Sequence, residues 1–262
     1  MSPQSLRKII LQQSQRAHVG HIGSALSIAD IMAALYEYAL GASDPADQDR
    51  DRFILSKGHA SLALYAALFC CGRLSAEDLD TYCADGSFLG VHPEHALFGI
   101  DFSTGSLGQG ASFAVGAALA ARLQHSSRRT FALVSDAECN EGVLWEAVMF
   151  AAHHRLANLI VVVDLNGQQA LGYTDRVLDL SPMRSRWESF GWDVHDVDGH
   201  DVPGMIDVLK STDITTGPPH VLIAHTVFGK GVSFMEGQIK WHYSPLSEEE
   251  YQQGLAEVEA SS

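Results

Sequence analysis

The sequence predicts an α/β fold in which a parallel β-sheet carries helices on both faces. Segments of strand length alternate with helical segments along the chain, which is typical of parallel sheets. The strands are apolar almost without interruption, as expected of a sheet that is buried on both faces. The chain has 262 residues, 46% of them hydrophobic, and shows no internal repeat or linker. We therefore expect one domain over residues 1–262.

The first part of the chain is predicted to be mainly helical. Ser27 is placed as the N-cap of the second helix, with Asp30 in its first turn, because serine caps helices well and acidic residues favour their starts. Ser75 is expected to cap a short helix. The predicted elements here are helices at 3–17, Ser27–Leu40, 58–72 and 75–83, and a short strand at 51–56.

The segment Ala84–Gly110 has no clear periodicity and is rich in glycine. A loop of this length in a compact domain is usually functional or disordered. Its apolar content, including Phe88, Phe98 and Phe102, is too high for disorder. We therefore expect an ordered active-site loop, followed by a helix of small residues over 111–122.

Two polar residues follow neighbouring apolar strands. The strand Phe131–Val134 leads to Asp136, and the strand Leu159–Val163 leads to Asn166. If the strands are parallel neighbours, both side chains emerge at the carboxyl ends, where open α/β sheets bind ligands. Carboxylate and carboxamide oxygens suit Mg²⁺ or Ca²⁺, which often share their coordination with phosphates. The alternative is a pair of polar residues that cap a helix and a turn.

The remaining segments continue the alternation of helix and strand. The tail after residue 243 is acidic and partly helical. The predicted elements are a helix near Met183–Phe190, a strand at Trp192–Val197, a helix near Val202–Lys210 and a strand at His220–His225.

The composition excludes several classes of function. The net charge of −15 argues against nucleic-acid binding, which needs an excess of Lys and Arg. No apolar run has the length of a membrane span, and the first residues lack a secretory signal. The four cysteines show neither metal-binding nor disulfide spacing. A cytoplasmic protein is expected.

Four histidines lie in loops punctuated by glycine or proline: His21, His59, His92 and His242. Imidazoles can donate to phosphate or to sugar hydroxyls near neutral pH. Each histidine alone is more simply a surface or satisfied polar residue. Their number in loops of one domain favours a functional site, but spacing alone does not bring them together.

Several segments in order along the chain resemble the thiamine-diphosphate-binding amino-terminal portion of transketolases, in particular the amino-terminal subunit of transketolases encoded as two chains. They are AHVGHIGSALS, SKGHASLALY, HPEH with STGSLGQG, SDAECNEGVLWEA, VVVDLNGQQ, and AHTVFGKGVSFMEG with WHY. The resemblance implies the diphosphate-binding subunit of a two-chain enzyme that transfers a two-carbon ketol unit from a ketose to an aldose.

The resemblance also implies how the cofactor is held. Asp136 and Asn166 match side-chain ligands of Mg²⁺ or Ca²⁺, and Gln168 matches a backbone carbonyl ligand. Ala137 stands where the family usually has a glycine whose amide contacts the diphosphate, so that the usual GDG reads SDA. Residues matching further contacts to thiamine diphosphate are His59, Gly105 and Leu107.

Catalytic roles follow from the same resemblance. His21, His92 and His242 match histidines that face the substrate's carbonyl and hydroxyl groups, and Val91 replaces a glycine before the second of these. Glu141 matches an acid at the subunit interface that communicates with the other active site. The simpler interpretation of Glu141 is a carboxylate favoured at a helix start.

The resemblance places the rest of the active site on another chain. In the family a second domain holds the pyrimidine ring and supplies the glutamate that activates the cofactor. We expect a carboxy-terminal partner subunit, an α2β2 assembly, and a sugar or sugar-phosphate substrate. By itself the chain is expected to bind metal and cofactor weakly and not to turn over.

Three other interpretations remain open. The chain resembles, less closely, deoxyxylulose-phosphate-synthase-like proteins and α subunits of 2-oxo-acid dehydrogenases, and a non-catalytic assembly module is the third. Lys57 and Lys230 are the nearest candidates for a substrate phosphate, although each is equally explained as support for its own loop.

Overall fold

A five-stranded parallel sheet, with the strand order β1-β2-β3-β7-β6, lies at the centre of the computed structural model, which describes residues 1–260. Two further strands of two residues each, β4 and β5, form a separate antiparallel hairpin. The strands are β1 (Arg52–Leu55), β2 (Thr130–Ser135), β3 (Leu159–Leu165), β4 (Gln168–Gln169), β5 (Gly172–Tyr173), β6 (Asp193–Asp198) and β7 (His220–His225).

Helices cover both faces of the sheet, which confirms the predicted fold class. They are α1 (Pro3–Ala17), α2 (Ile22–Ser27), α3 (Ala29–Leu35), α4 (Ser61–Cys70), α5 (Ala76–Leu79), α6 (Gln109–Leu123), α7 (Gly142–His153), α8 (Thr174–Val177), α9 (Met183–Ser189), α10 (Val202–Ser211) and α11 (Glu248–Ala260). Short helices of other types are Tyr36–Leu40, Gly58–Ala60, Ala137–Asn140 and Ile239–His242.

The alternation of side chains along each strand divides the core into two layers. In β2, Phe131 and Leu133 pack with α1, α3 and α4 on one face. Their neighbours Ala132 and Val134 pack with α6 and α7 on the other face. Burial on both faces explains why these strands are apolar without interruption.

The predicted start of the second helix is wrong. The chain is already helical from Ile22, so Ser27 lies at the end of α2 and does not cap a helix. Its hydroxyl is buried and donates to Asp164 Oδ1 at 2.7 Å. Ser75 does cap α5, accepting from the amide of Asp78 at 3.0 Å.

The segment predicted as an ordered loop contains no helix or strand from Ala84 to Gly108. Leu89 within it is buried, and its carbonyl accepts from Cys83. After β3 the chain forms the hairpin β4–β5 and the single helical turn α8. No helix within residues 1–260 is long and apolar enough to cross a membrane.

Candidate active site

Asp136 joins the carboxyl ends of the two central strands. Residue 135 at the end of β2 is paired with Asp164 of β3, so the segments after both strands lie side by side. Asp136 Oδ2 accepts from the amide of Gly167 at 2.7 Å, and Oδ1 accepts from the amide of Ala137 at 2.8 Å. The carboxylate therefore fixes the loop after β3 to the turn after β2.

Burial, together with a smaller contribution from the nearby carboxylate of Asp164, raises the pKa of Asp136 to about 7. The amides of Gly167 and Ala137 oppose this rise. A cation beside such a carboxylate would favour its ionised form.

Asn166 and Gln168 complete the loop. Asn166 Oδ1 accepts from the amide of Gln168 at 2.9 Å, and Nδ2 donates to Asp164 Oδ2 at 2.8 Å. Gln168 Oε1 is buried, and within residues 1–260 it has no hydrogen-bond partner. A buried polar atom without a partner is costly unless something else contacts it. This part of the loop is thus rich in oxygen atoms, one of which lacks a partner.

A buried ion pair stabilises this loop through its contact with Asn166. Lys57 Nζ lies 2.5 Å from Asp164 Oδ2, and both side chains are at most 1% exposed. Asp164 also accepts from the hydroxyls of Ser27 and Thr226. The ammonium of Lys57 is therefore held by Asp164, which favours loop support over the alternative of contact with a substrate phosphate. An aspartate inside an otherwise apolar strand is the signal for such a partner.

Lys230, the other candidate for a phosphate contact, lies elsewhere. It lines a separate cavity beside Arg7 and Glu236, and its ammonium is 3.8 Å from the Glu236 carboxylate.

Three of the predicted histidines form a cluster. The ring centroids of His21 and His242 lie 4.9 Å apart, and each is 5.4 Å from that of His59. The amide of His21 donates to the carbonyl of His242 at 3.2 Å, which joins the two loops. Gly20 is needed there, because a Cβ atom on it would lie 2.8 Å from the carbonyl carbon of Tyr243.

These imidazoles are neutral at pH 7. Burial is the main cause that lowers the pKa of His242 to about 4, with smaller contributions from His21 and Lys57. Burial also lowers the pKa of His21, and it lowers that of His59 strongly. His59 Nε2 lies 3.1 Å from the Ser24 hydroxyl. His21 Nδ1 is buried and has no partner within residues 1–260.

The histidine cluster and the loop after β3 line one open cavity of about 270 Å³. His92 reaches it from the long loop, with its ring against Gly105, where a Cβ atom would lie 3.0 Å from His92 Cδ2. Of the eleven predicted site residues, ten line this cavity: His21, His59, His92, Gly105, Leu107, Ala137, Glu141, Asn166, Gln168 and His242. Asp136 lines an adjoining cavity of about 360 Å³, and Asn140 borders both.

Two acidic residues of the SDAECNEG motif behave differently. Glu138, which sequence reasoning missed, is buried and accepts from Ser56 Oγ at 2.5 Å and from the amide of Gly108 at 2.7 Å. Glu138 thereby connects the residue after β1 to the end of the long loop that precedes α6. Glu141 is exposed and occupies the N-cap position of α7 without a side-chain capping hydrogen bond, a position at which the helix dipole favours a carboxylate, as the simpler interpretation holds.

Known proteins have similar sequences and a similar architecture. The family "Transketolase, thiamine diphosphate binding domain" matches residues 2–257. The chain is 40% identical to an apulose-4-phosphate transketolase subunit of Phocaeicola vulgatus, covering 96% of this chain and 90% of that protein. It is also 40% identical to a 6-deoxy-6-sulfo-D-fructose transketolase subunit of a Clostridium species, covering 97% and 94%.

The solved transketolase of Campylobacter jejuni superposes with a TM-score of 0.91 at 32% identity, covering 98% of this chain and 42% of that one. Relatives that are themselves named as single subunits of a transketolase imply a partner subunit. The predicted resemblance, including the likeness to the amino-terminal subunit, is therefore confirmed. The chain belongs to the transketolase family and comprises its thiamine diphosphate binding domain.

Proposed function

We propose that the chain is the cofactor-anchoring half of a two-subunit transketolase, which transfers a ketol unit from a ketose to an aldose. The observation that carries this proposal is the meeting of two features at one cavity. These are the oxygen-rich loop fixed by Asp136 and the cluster of neutral histidines. Neither feature is required for packing of the apolar core.

The loop after β3 fits a divalent ion that carries a diphosphate. Asp136, Asn166 and the carbonyl of Gln168 would hold Mg²⁺ or Ca²⁺, since hard ions prefer oxygen ligands. Within residues 1–260 the side-chain Oε1 of Gln168 has no hydrogen-bond partner, which supports a ligand at this position. The φ of Ala137 is negative, so its amide can serve a diphosphate as glycine would, once released from Asp136.

Thiamine diphosphate, when bound, supplies the carbon nucleophile that breaks and forms the carbon–carbon bond. The residues of this chain bind and orient the sugar beside it. His21 and His242 are neutral, so each can accept at one ring nitrogen and donate at the other, as sugar hydroxyls require. His92, which lines the same cavity, would approach the same sugar.

The substrate is proposed to be a ketose with an anionic end. The two named relatives act on apulose 4-phosphate and on 6-deoxy-6-sulfo-D-fructose, sugars that carry a phosphate and a sulfonate group. The ammonium of Lys57 is occupied by Asp164, and Lys230 lies outside the cavity. We therefore place recognition of the anion on the partner subunit, in an α2β2 assembly.

Reconstitution tests the proposal. The chain mixed with a carboxy-terminal transketolase subunit, thiamine diphosphate and Mg²⁺ should transfer ketol units from a phosphorylated or sulfonated ketose, while the chain alone should not. Pyruvate as the preferred donor would instead favour the related thiamine enzymes. Failure of the complex to bind the cofactor would favour the assembly module.

Asp136→Ala tests the metal site. The variant should lose Mg²⁺-dependent cofactor binding in the complex and keep its circular dichroism spectrum. Asp207→Ala, an exposed position on α10, is the matched control and should bind normally. Unchanged affinity of the Asp136 variant would contradict the assignment.

A further inference from the structure

At the end of the sheet opposite the active site, two histidines and an aspartate converge. Asp193 and His195 belong to the edge strand β6, and they share a face because strand side chains alternate with a period of two. His220 begins β7 and is the direct cross-strand partner of Asp193. One ligand atom from each of the three lies within 4.8 Å of the other two.

The hydrogen bonds fix the protonation of His220. Its Nε2 lies 2.9 Å from the carbonyl oxygen of Asp213, which only accepts, so Nε2 carries a proton. In the neutral imidazole Nδ1 then presents a lone pair. This nitrogen lies 3.1 Å from Asp193 Oδ2, a second acceptor. Two acceptors face each other at this distance only when a proton or a metal cation lies between them.

A second imidazole meets the same carboxylate oxygen. His195 Nε2 lies 3.2 Å from Asp193 Oδ2, and although it is shielded from solvent, nothing within residues 1–260 hydrogen-bonds to it. Ligands bound to zinc at about 2.0–2.1 Å in a tetrahedron lie about 3.3 Å apart. The two nitrogen–oxygen distances are close to that separation.

We infer that Asp193, His195 and His220 bind a zinc ion that fastens the edge strand β6 to β7. The bond from His220 Nε2 to a backbone carbonyl is the outer contact that metal-binding histidines usually make, and it fixes the tautomer with Nδ1 free to coordinate. The Asp193 side chain is 46% exposed and that of His195 26% exposed, so an ion has access from solvent. Water would fill the fourth position.

The chain offers a matched control on the same two strands. His225 of β7 lies 3.1 Å from Asp196 of β6, a pair of one imidazole and one carboxylate without a second histidine. It should not hold zinc by itself. The side chain of His195 is partly exposed, whereas that of His220 is 4% exposed, so replacement of His195 is the safer probe of the site.

The test is calorimetric titration of the full chain with ZnCl₂ in saturating Mg²⁺, after removal of metals with a chelator. The wild type and His225→Ala should bind one zinc ion with equal affinity and unfold at a higher temperature when it is bound. His195→Ala and His220→Ala should bind about 100-fold more weakly, since even loss of outer contacts costs 10–100-fold. Co²⁺ in place of zinc should give the visible spectrum of a four-coordinate ion only when both histidines are present.

Equal zinc affinity of His195→Ala and the wild type would overturn the inference, since the ion would then be held elsewhere, for example by the cluster of His21, His59 and His242. Absence of zinc binding to the wild type would also overturn it. In that case His220 Nδ1 and Asp193 Oδ2 share a proton, and no metal ion lies between them. If His220→Ala fails to fold, His195→Ala decides.

Discussion

At the residue scale, the buried ion pair of Lys57 and Asp164 should be sensitive to mutation. Both groups are removed from water, so the loss of one leaves the other charged and buried. Lys57→Met should lower the free energy of unfolding by about 3–5 kcal/mol. Lys8→Met, which breaks the exposed pair with Glu259, should cost less than about 1 kcal/mol. Urea denaturation measures both, and similar costs would contradict the importance given to burial.

The lowered pKa of His242 predicts a pH dependence of stability. The imidazole titrates near 6.5 in the unfolded chain and at about 4 in the folded one. Between these values the unfolded chain binds an extra proton, so acidification favours unfolding. This contribution to stability is complete above pH 6.5 and is lost progressively as the pH falls toward 4.

The raised pKa of Asp136 has the opposite effect, since its protonation on acidification favours the folded chain. A variant of His242 is therefore needed to measure the contribution of His242 alone. When the pH falls from 7.5 to 5.5, the free energy of unfolding should decrease more in the wild type than in His242→Gln, by up to about 1 kcal/mol. His153→Gln, at an exposed position, should follow the wild type. Urea midpoints at the two pH values measure the difference, and parallel curves for His242→Gln and the wild type would refute it.

At the element scale, two glycines of α6 have opposite surroundings. A Cβ atom on Gly110 would lie 2.7 Å from the Cα of Ser56, whereas one on Gly116 would meet open space. Gly110→Ala should destabilise the chain by about 1–3 kcal/mol through overpacking. Gly116→Ala should stabilise it by up to about 1 kcal/mol, as expected of alanine in a helix. Thermal unfolding compares the two, and equal effects would argue against the close approach of α6 to β1.

The elements themselves follow largely from local pattern, and the exceptions have a long-range cause. Helix α1, strand β7 and the cap at Ser75 are set by periodicity and capping within a few residues. Ser27 has the local chemistry of an N-cap, but its hydroxyl is used by Asp164, 137 residues away. Such a contact leaves no trace in the spacing around Ser27.

At the scale of the whole molecule, the cavity combines segments from most of the chain. Spacing predicts that the residues after β2 and β3 meet, because parallel neighbours end at one edge. It does not predict that the loops of His21, His59 and His242 meet, and only the ordered family motifs placed them in one site. The residues of the proposed zinc site, Asp193, His195 and His220, belong to no such motif, and only the pairing of β6 with β7 brings them together.

The helices α6 and α7 present apolar side chains to solvent, and these are the surfaces we expect a partner subunit to cover. Phe113 of α6 is 37% exposed, and Met149 and Phe150 of α7 are 50% and 42% exposed. Glu141 precedes α7, so a subunit on this face would lie beside the active site. Isolated apolar residues are common at surfaces, but exposed apolar residues on two helices that pack together are more typical of an interface.

Met149→Glu tests this surface. The charge should leave the unfolding temperature of the chain nearly unchanged, because the side chain is already half exposed. It should weaken assembly with the carboxy-terminal subunit by at least about tenfold, because a buried carboxylate without a partner is strongly unfavourable in an interface. Ala256→Glu, exposed on α11, is the control and should assemble like the wild type. Sedimentation velocity over a range of concentrations measures assembly, and equal association of the two variants would show that the partner binds another face.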